Sequence, residues 1–290
     1  MKLAIENHHP HDDHISFEES THTYTIDGDS SYTSVTTFLH HQFPTFNPET
    51  TSQSLLIPVY ANGRPNKNKY RAAAIENIRK SFTNEISEEE AIQLLNDTTT
   101  DYYKKEKQAI LDQWSQTSTS GTKIHADIEY YYNDQPRPND SIEYTYFEAF
   151  RKDFEKEFPQ YRPYRTEWTV YYKELKLAGS IDMVYENMDD GTLMIYDWKR
   201  VKEIKYEAFK DECGLGVCSD LPNTNFWHYS LQLNTYKAIL ECQYGKTVTA
   251  LRLVRLYPDA ESYECIECHD LQEKVKILFE NRRNEVFEKK

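Results

Sequence analysis

The sequence predicts an α+β (mixed α/β) protein: a central mixed β-sheet flanked by helices, preceded by an N-terminal hairpin and a helical extension. Three observations carry this expectation. Residues 165–173, 177–186 and 192–198 are strand-like runs in succession, the last two joined by the turn Met188-Asp189-Asp190-Gly191. Helical periodicity brackets them, with Phe147, Phe150, Phe154 and Phe158 at three-to-four spacing before and a helix over about 225–243 after. Strands near 247–257 and 262–268 and a helix from about 270 then complete an order unlike the repeated βαβ of a Rossmann chain.

Each element has its own local warrant. His8, His9, His11 and His14 crowd a segment that reads as a mobile terminus, with a metal role as the alternative. Residues 14–32 read as a β-hairpin built on Phe17, Tyr24 and Ile26, with Asp27-Gly28-Asp29 closing the second strand. Ser34 is the N-cap of a helix through Val35, Phe38 and Leu39 that stops before Pro44. In residues 63–80, Arg64, Lys67, Lys69, Arg71, Arg79 and Lys80 face only Glu76, and the half from Tyr70 is good helix material. That segment reads either as a phosphate-contacting arm or as a solvated helix face.

Ser87 and Glu90 have capping-box spacing, which predicts a short helix. A helix over 101–114 follows. The polar stretch SQTSTSG separates it from a further helix, about Gly121 to Asn133, closed off by Pro136 and Pro138. Pro159 ends the Phe-rich helix over 141–158. No repeat or long linker divides the chain, so residues 1–118 read as a hairpin and helical region and 119–290 as the core of one continuous unit.

Composition narrows the partners. The 290 residues carry 34 basic and 48 acidic side chains, a net charge of −14. That counts against a non-specific nucleic-acid coat, though a local basic groove and bound cations can still steer a polyanion. Tyr is abundant at 23 copies, which suits stacking and hydrogen bonding as well as ordinary strand packing. No apolar run approaches the ~18 residues of a membrane span, and the opening MKLAIENHHPHDDH lacks a signal-peptide apolar region. Five scattered cysteines do not form a disulfide framework. The expectation is a soluble, intracellular protein with no membrane partner.

The chemistry gathers between Thr166 and Arg200. Asp197 and Lys199 are two apart in a strand-like run, so carboxylate and ammonium project from one face. The apolar lead-in from Leu193 to Tyr196 marks a strand buried on both faces, where such charges need partners. Asp182 follows the same logic on the preceding strand, and Gly179 there permits close backbone approach. Two carboxylates converging from neighbouring strands suit Mg²⁺ or Mn²⁺, which would acidify a water and neutralise charge on a phosphoryl group. Upstream, His125 and Glu129 are four apart on one helix face; downstream, so are Gln232 and Tyr236. A pair of surface ion pairs on a hairpin is the competing structural reading.

The pattern G-S-I-D…I-Y-D-W-K resembles the PD-(D/E)XK nuclease superfamily. Gly121-Thr122-Lys123-Ile124-His125 resembles the G-T-x-x-H helix motif of one branch, and Gln232-Leu233-Asn234-Thr235-Tyr236 its Q-x-x-x-Y motif. That branch includes the RecB nuclease domain, CRISPR-associated adaptation exonucleases and the mitochondrial genome maintenance exonuclease. The resemblance covers about residues 119–240, with one departure: no Pro precedes Asp182. The segment THTYTIDG…SVTTFL also resembles phage and viral members.

The resemblance implies a restriction-endonuclease-like core. His125, Asp182, Asp197 and the Trp198 carbonyl would hold the metal, Lys199 would be the catalytic lysine, and Glu167 would be an acid near the metal. Gln232, Tyr236 and Thr122 would contact substrate, with Arg64, Lys67, Lys69 and Arg71 along the DNA path. Some relatives hold an iron–sulfur cluster with one cysteine before the core; here none precedes Cys213, so the cysteines do not fit that cluster.

The implied activity is metal-dependent DNA hydrolysis on single strands or free ends, in replication, recombination or repair. The alternatives are a structure-specific endonuclease and a non-catalytic DNA-binding accessory protein. A glycosidase built on Glu167 and Asp182 leaves Lys199 and the His125 helix without a role.

Overall fold

A computed structural model describes residues 1–57, 68–208 and 211–288. The chain forms two compact units, residues 1–44 with 121–290 and residues 45–120. In chain order the first elements are α1 (Lys2–Glu6), β1 (Ile15–Glu18), β2 (Thr23–Ile26), β3 (Thr33–Ser34) and α2 (Val35–His40). β1 and β2 make the expected hairpin, Ile15 opposite Ile26 and Glu18 opposite Thr23. Ser34 caps α2, its hydroxyl accepting from the Thr37 amide at 3.0 Å.

The histidine-rich segment is ordered, a correction to the mobile terminus expected from composition. A short 3₁₀ turn over Pro10–His14 places Asp12 against Arg165 (2.5 Å) and the Trp168 indole N–H (3.0 Å), both in the core of this unit. His9 and His11 pack their rings on Tyr244 at centroid distances of 4.7 and 4.6 Å. Burial of Asp12 would have favoured a neutral acid; its hydrogen bonds outweigh that and hold its carboxyl below the usual range.

The second unit is helical: α3 (Pro48–Leu56), α4 (Lys69–Ser81), α5 (Glu88–Asn96) and the first part of α6 (Asp101–Tyr132). α3 is unannounced by periodicity, yet Asn47 caps it through the Glu49 and Thr50 amides and Pro48 opens it. The Ser87–Glu90 capping box opens α5 as expected. Leu56, Ala74, Ile78, Ala91, Leu95, Tyr103 and Ile110 form this unit's own core.

α6 corrects a second expectation. It runs unbroken for 32 residues where the sequence predicts two helices parted by SQTSTSG. Ser, Thr and Gly weaken a helix by at most about 1 kcal/mol each, which flanking turns with good propensity can outweigh.

The first unit resumes with α7 (Ile142–Glu157), β4 (Tyr161–Tyr172), β5 (Leu177–Asn187), β6 (Leu193–Lys199), α8 (Asn225–Gln243), β7 (Val248–Arg255), β8 (Glu264–Glu267) and α9 (Gln272–Glu288). A six-stranded mixed sheet runs β3-β5-β6-β7-β8, with β4 on β5. β4–β5, β5–β6 and β7–β8 are antiparallel; β3–β5 and β6–β7 are parallel. The parallel β6–β7 step uses α8 as its crossover, as parallel pairing requires.

Two cores sandwich the sheet. One joins Val184, Ile195 and Leu253 to residues of α2, α8 and α9. The other joins Met183, Tyr196 and Trp198 to Ile128 of α6 and to Phe147, Phe150 and Phe154 of α7. The mixed α/β class predicted from the sequence is the class observed. Among the described residues, no helix is long and apolar enough to cross a membrane.

Candidate active site

Three acids stand in one row across three adjacent strands. Thr166 pairs with Met183 and Trp168 with Ile181, so Glu167 on β4 falls opposite Asp182 on β5. Met183 pairs with Tyr196, so the next step along the ladder sets Asp182 opposite Asp197 on β6. The β5–β6 pairing stops there, and the Asp182 carboxylate accepts the Trp198 amide at 2.9 Å instead. Glu167 holds φ of 42°, an unfavourable conformation for a residue with a side chain, and accepts a 2.8 Å hydrogen bond from the Ser180 hydroxyl.

From α6, His125 reaches the same place. Its Nε2–H donates to the Trp198 carbonyl at 2.8 Å, and its Nδ1 stands 3.4 Å from Asp182 Oδ2. Because a carbonyl can only accept, Nε2 carries a proton in this bond. Trp198's carbonyl, which the resemblance implies as a metal ligand, accepts from His125 here. One donor atom each from His125, Glu167 and Asp182 lies within 4.8 Å of the others.

Asp197 is 2% exposed. Its Oδ2 lies 2.5 Å from Lys199 Nζ, yet among the described residues that oxygen has no hydrogen bond of acceptable angle. Lys199 also lies over the Tyr229 ring, 4.5 Å from its centroid.

The electrostatics are those of crowded, buried acids. Burial, then the Asp182 charge, pushes the Glu167 carboxyl up to about 8. Burial raises Asp197 to about 6 against the pull of Lys199. Lys199 is held further above its ordinary value by Asp197 and then Asp182, which outweigh its own burial. Burial also raises Glu129, four residues beyond His125 on α6. Acids that resist ionising because they are desolvated and close together are relieved by a cation. A set of one imidazole and carboxylates, with the buried, ion-paired Asp197 beside it, fits Mg²⁺ or Mn²⁺.

Of the row, Glu167 opens on a cavity of about 600 Å³ lined also by His125, Glu129 and Ser180, by Thr122, and by Phe17, His22 and Tyr24 of the hairpin. Thr122 is exposed at its wall. A second cavity, of about 360 Å³, is lined by Gln232 and Tyr229 on α8.

Tyr236, expected to contact substrate, is 2% exposed. Its ring packs on Gly179, where an added Cβ would come within 2.7 Å of it. Its position is one of packing, a correction to a direct substrate role. Arg71 is likewise buried at 8%, its guanidinium bonded to the Leu56 carbonyl and, at 3.2 Å, to Asn96. It completes the core of the second unit and does not face a phosphate. Lys69 is exposed at the start of α4, and Arg64 and Lys67 lie outside the described residues.

Sequence reasoning missed Ser180, Tyr229 and the hairpin aromatics. Ser180 shares Asp182's strand parity and Tyr229 stands one turn before Gln232, so spacing could have found both. Phe17, His22 and Tyr24 reach the cavity only through packing of the hairpin, for which no local signal exists.

No protein-family model matches the sequence, and no curated protein matches it. Among solved structures, the chain is similar to a protein from Eubacterium rectale provisionally named an exonuclease. The two share 14% identity over 88% of this chain and 81% of that one, with a TM-score of 0.33. It is also similar to the crystal structure of SSO0001, at 12% identity over 74% and 85% of the two chains and a TM-score of 0.28. At such TM-scores neither likeness carries an argument about fold or activity.

Proposed function

We propose that the protein is a divalent-metal-dependent nuclease of the PD-(D/E)XK type that hydrolyses DNA phosphodiester bonds, working on single strands or from free ends. The observation that carries this is the row of Glu167, Asp182 and Asp197 across three neighbouring strands, with His125 at one side and Lys199 at the other. The motif resemblance in sequence adds the polynucleotide substrate to a site whose chemistry is already that of a cation and an anion.

His125, Glu167 and Asp182 would hold Mg²⁺ or Mn²⁺, with Asp197 beside them. When bound, the ion supplies Lewis acidity toward the phosphate and lowers the pKa of water at the site. The chain's own groups do the rest. Lys199 remains protonated and offers its charge to the phosphate oxygens. Asp197 fixes the position of that ammonium. Glu167, which lines the adjoining cavity, would help to hold the ion and its water. Gln232, which lines the 360 Å³ cavity, would offer an amide to the substrate. Among the basic residues of segment 63–80, Arg71 has no part in this site and Lys69 belongs to the other unit.

The test is digestion of linear and circular single-stranded DNA of one sequence in Mg²⁺ or Mn²⁺. Linear DNA is expected to be degraded and the circle spared; equal cutting of the circle makes the enzyme an endonuclease. Lys199→Ala is expected to lower the rate by at least about a hundredfold while cation binding persists. A fully active Lys199→Ala protein, or activity unchanged in EDTA, would falsify the assignment.

A further inference from the structure

The 360 Å³ cavity walled in part by Tyr229 has features that the metal site does not use. It lies between α2 and the start of α8, with Leu39, Phe43 and Tyr229 as apolar or aromatic wall and Thr224, His228 and Gln232 as polar wall. A volume of this size is in the range of small-molecule sites. Tyr229 joins it to the reaction centre, because the same ring lies under the Lys199 ammonium.

Thr224 is the N-cap of α8, where a threonine hydroxyl ordinarily accepts a helix amide, yet it makes no such bond. Thr224 is only 7% exposed, and its buried Oγ1 has no hydrogen-bond partner among the described residues. A buried hydroxyl left unpaired costs free energy unless something supplied from outside satisfies it.

His228 is the second polar feature. Its Nε2–H donates at 2.8 Å to Asn223 Oδ1, an amide oriented by its own bond from Nδ2 to Glu212. The Nδ1 lone pair is therefore an acceptor, and the ring packs at 3.9 Å on Phe43. Burial, then the nearby His40, keeps this imidazole neutral at physiological pH by lowering it to about 4. Among the described residues, no Lys or Arg lines the cavity. A neutral acceptor, an unpaired hydroxyl and an amide set among aromatic rings match a flat uncharged heterocycle better than a phosphate.

We infer that this cavity receives a nucleobase of the substrate strand, from a nucleotide close to the scissile phosphate, with Thr224 as its specific hydrogen-bonding contact. The inference deepens the nuclease reading and rests on it for the identity of the strand. It gives the enzyme a means of requiring an unstacked base, which favours single-stranded DNA over duplex.

The experiment has two arms on the full-length protein. In the first, single-stranded oligonucleotides each carry one abasic nucleotide at a different distance from the terminus, and cleavage is followed with Mg²⁺. One position is expected to raise KM about tenfold with kcat little changed. Thr224→Val is expected to reproduce that rise on intact DNA and to make the enzyme indifferent to the abasic position, while Thr224→Ser behaves as wild type. Equal KM at every abasic position, or the same abasic penalty in Thr224→Val as in wild type, overturns the proposal.

The second arm needs no catalysis. Free deoxynucleosides are titrated into metal-free protein, and the His228 ring proton is followed by NMR. A saturable shift that Thr224→Val abolishes is expected; no shift with any of the four overturns the pocket assignment. Failure of DNA cleavage with a retained nucleoside shift would instead remove the nuclease reading and leave the pocket.

Discussion

Glu167 combines three unfavourable states: a left-handed backbone within a strand, a buried carboxyl, and a neighbouring Asp182 of the same charge. Strain of this kind persists only where the surroundings over-determine it. A cation would offset both electrostatic costs. Glu167→Gln is therefore expected to make the metal-free protein more heat-stable by a few degrees while weakening Mn²⁺ binding at least tenfold. Calorimetric titration and thermal melts on the same variant check both halves; unchanged Mn²⁺ affinity would remove Glu167 from the site.

His228 supplies the pH dependence. Its imidazole titrates near 6.5 when unfolded but only at about 4 in the fold. Above pH 6.5 both states are neutral and the group contributes nothing to stability. As pH falls from 6.5 to 4 the unfolded chain takes up a proton that the folded chain refuses, so stability is lost across that window. His228→Phe is expected to flatten this part of a chemical-denaturation profile measured against pH, and an unaltered profile counts against the account.

At the scale of elements, the β5–α8 contact sets the site's geometry. Gly179 lets the Tyr236 ring lie against β5 three residues before Asp182. A methyl group at 179 would meet the ring at 2.7 Å, and the ring is buried and cannot swing away. Gly179→Ala is expected to cost about 1–3 kcal/mol and to reduce activity through displacement of α8. Adding Tyr236→Leu should recover part of the stability without the activity. Urea denaturation of the single and double variants measures this, and additive losses would show that the two residues do not press on each other.

The whole molecule carries a net charge of −14 and concentrates part of it in one row of buried and half-buried acids. Any ligand that binds only the folded state stabilises it by mass action, by about 2.7 kcal/mol at a hundredfold excess over Kd. Mg²⁺, Mn²⁺ or catalytically silent Ca²⁺ is expected to raise Tm by several degrees, and NaCl of equal ionic strength by much less. Asp182→Asn should erase the difference between the two salts. If NaCl matches the divalent ions, the stabilisation is general screening and no specific cation site exists.

The sequence by itself determined the elements and the centre of the site. Period-two spacing put Asp197 and Lys199 on one face of a buried strand, capping residues announced α2 and α5, and phenylalanine periodicity announced α7, because these signals depend on neighbours a few residues away. It misjudged α6, where weak local breakers lose to the turns around them, and the histidine segment, whose order comes from Arg165 and Trp168 far along the chain.

Only the tertiary structure decided that Glu167 falls in register with Asp182, that Trp198's carbonyl holds His125, and that Tyr236 and Arg71 face inward. It alone brought α2 and the start of α8 together around an unpaired threonine. Strand register and helix packing are contacts between distant residues, and their outcome is set by the filling of a shared core, which no local spacing encodes.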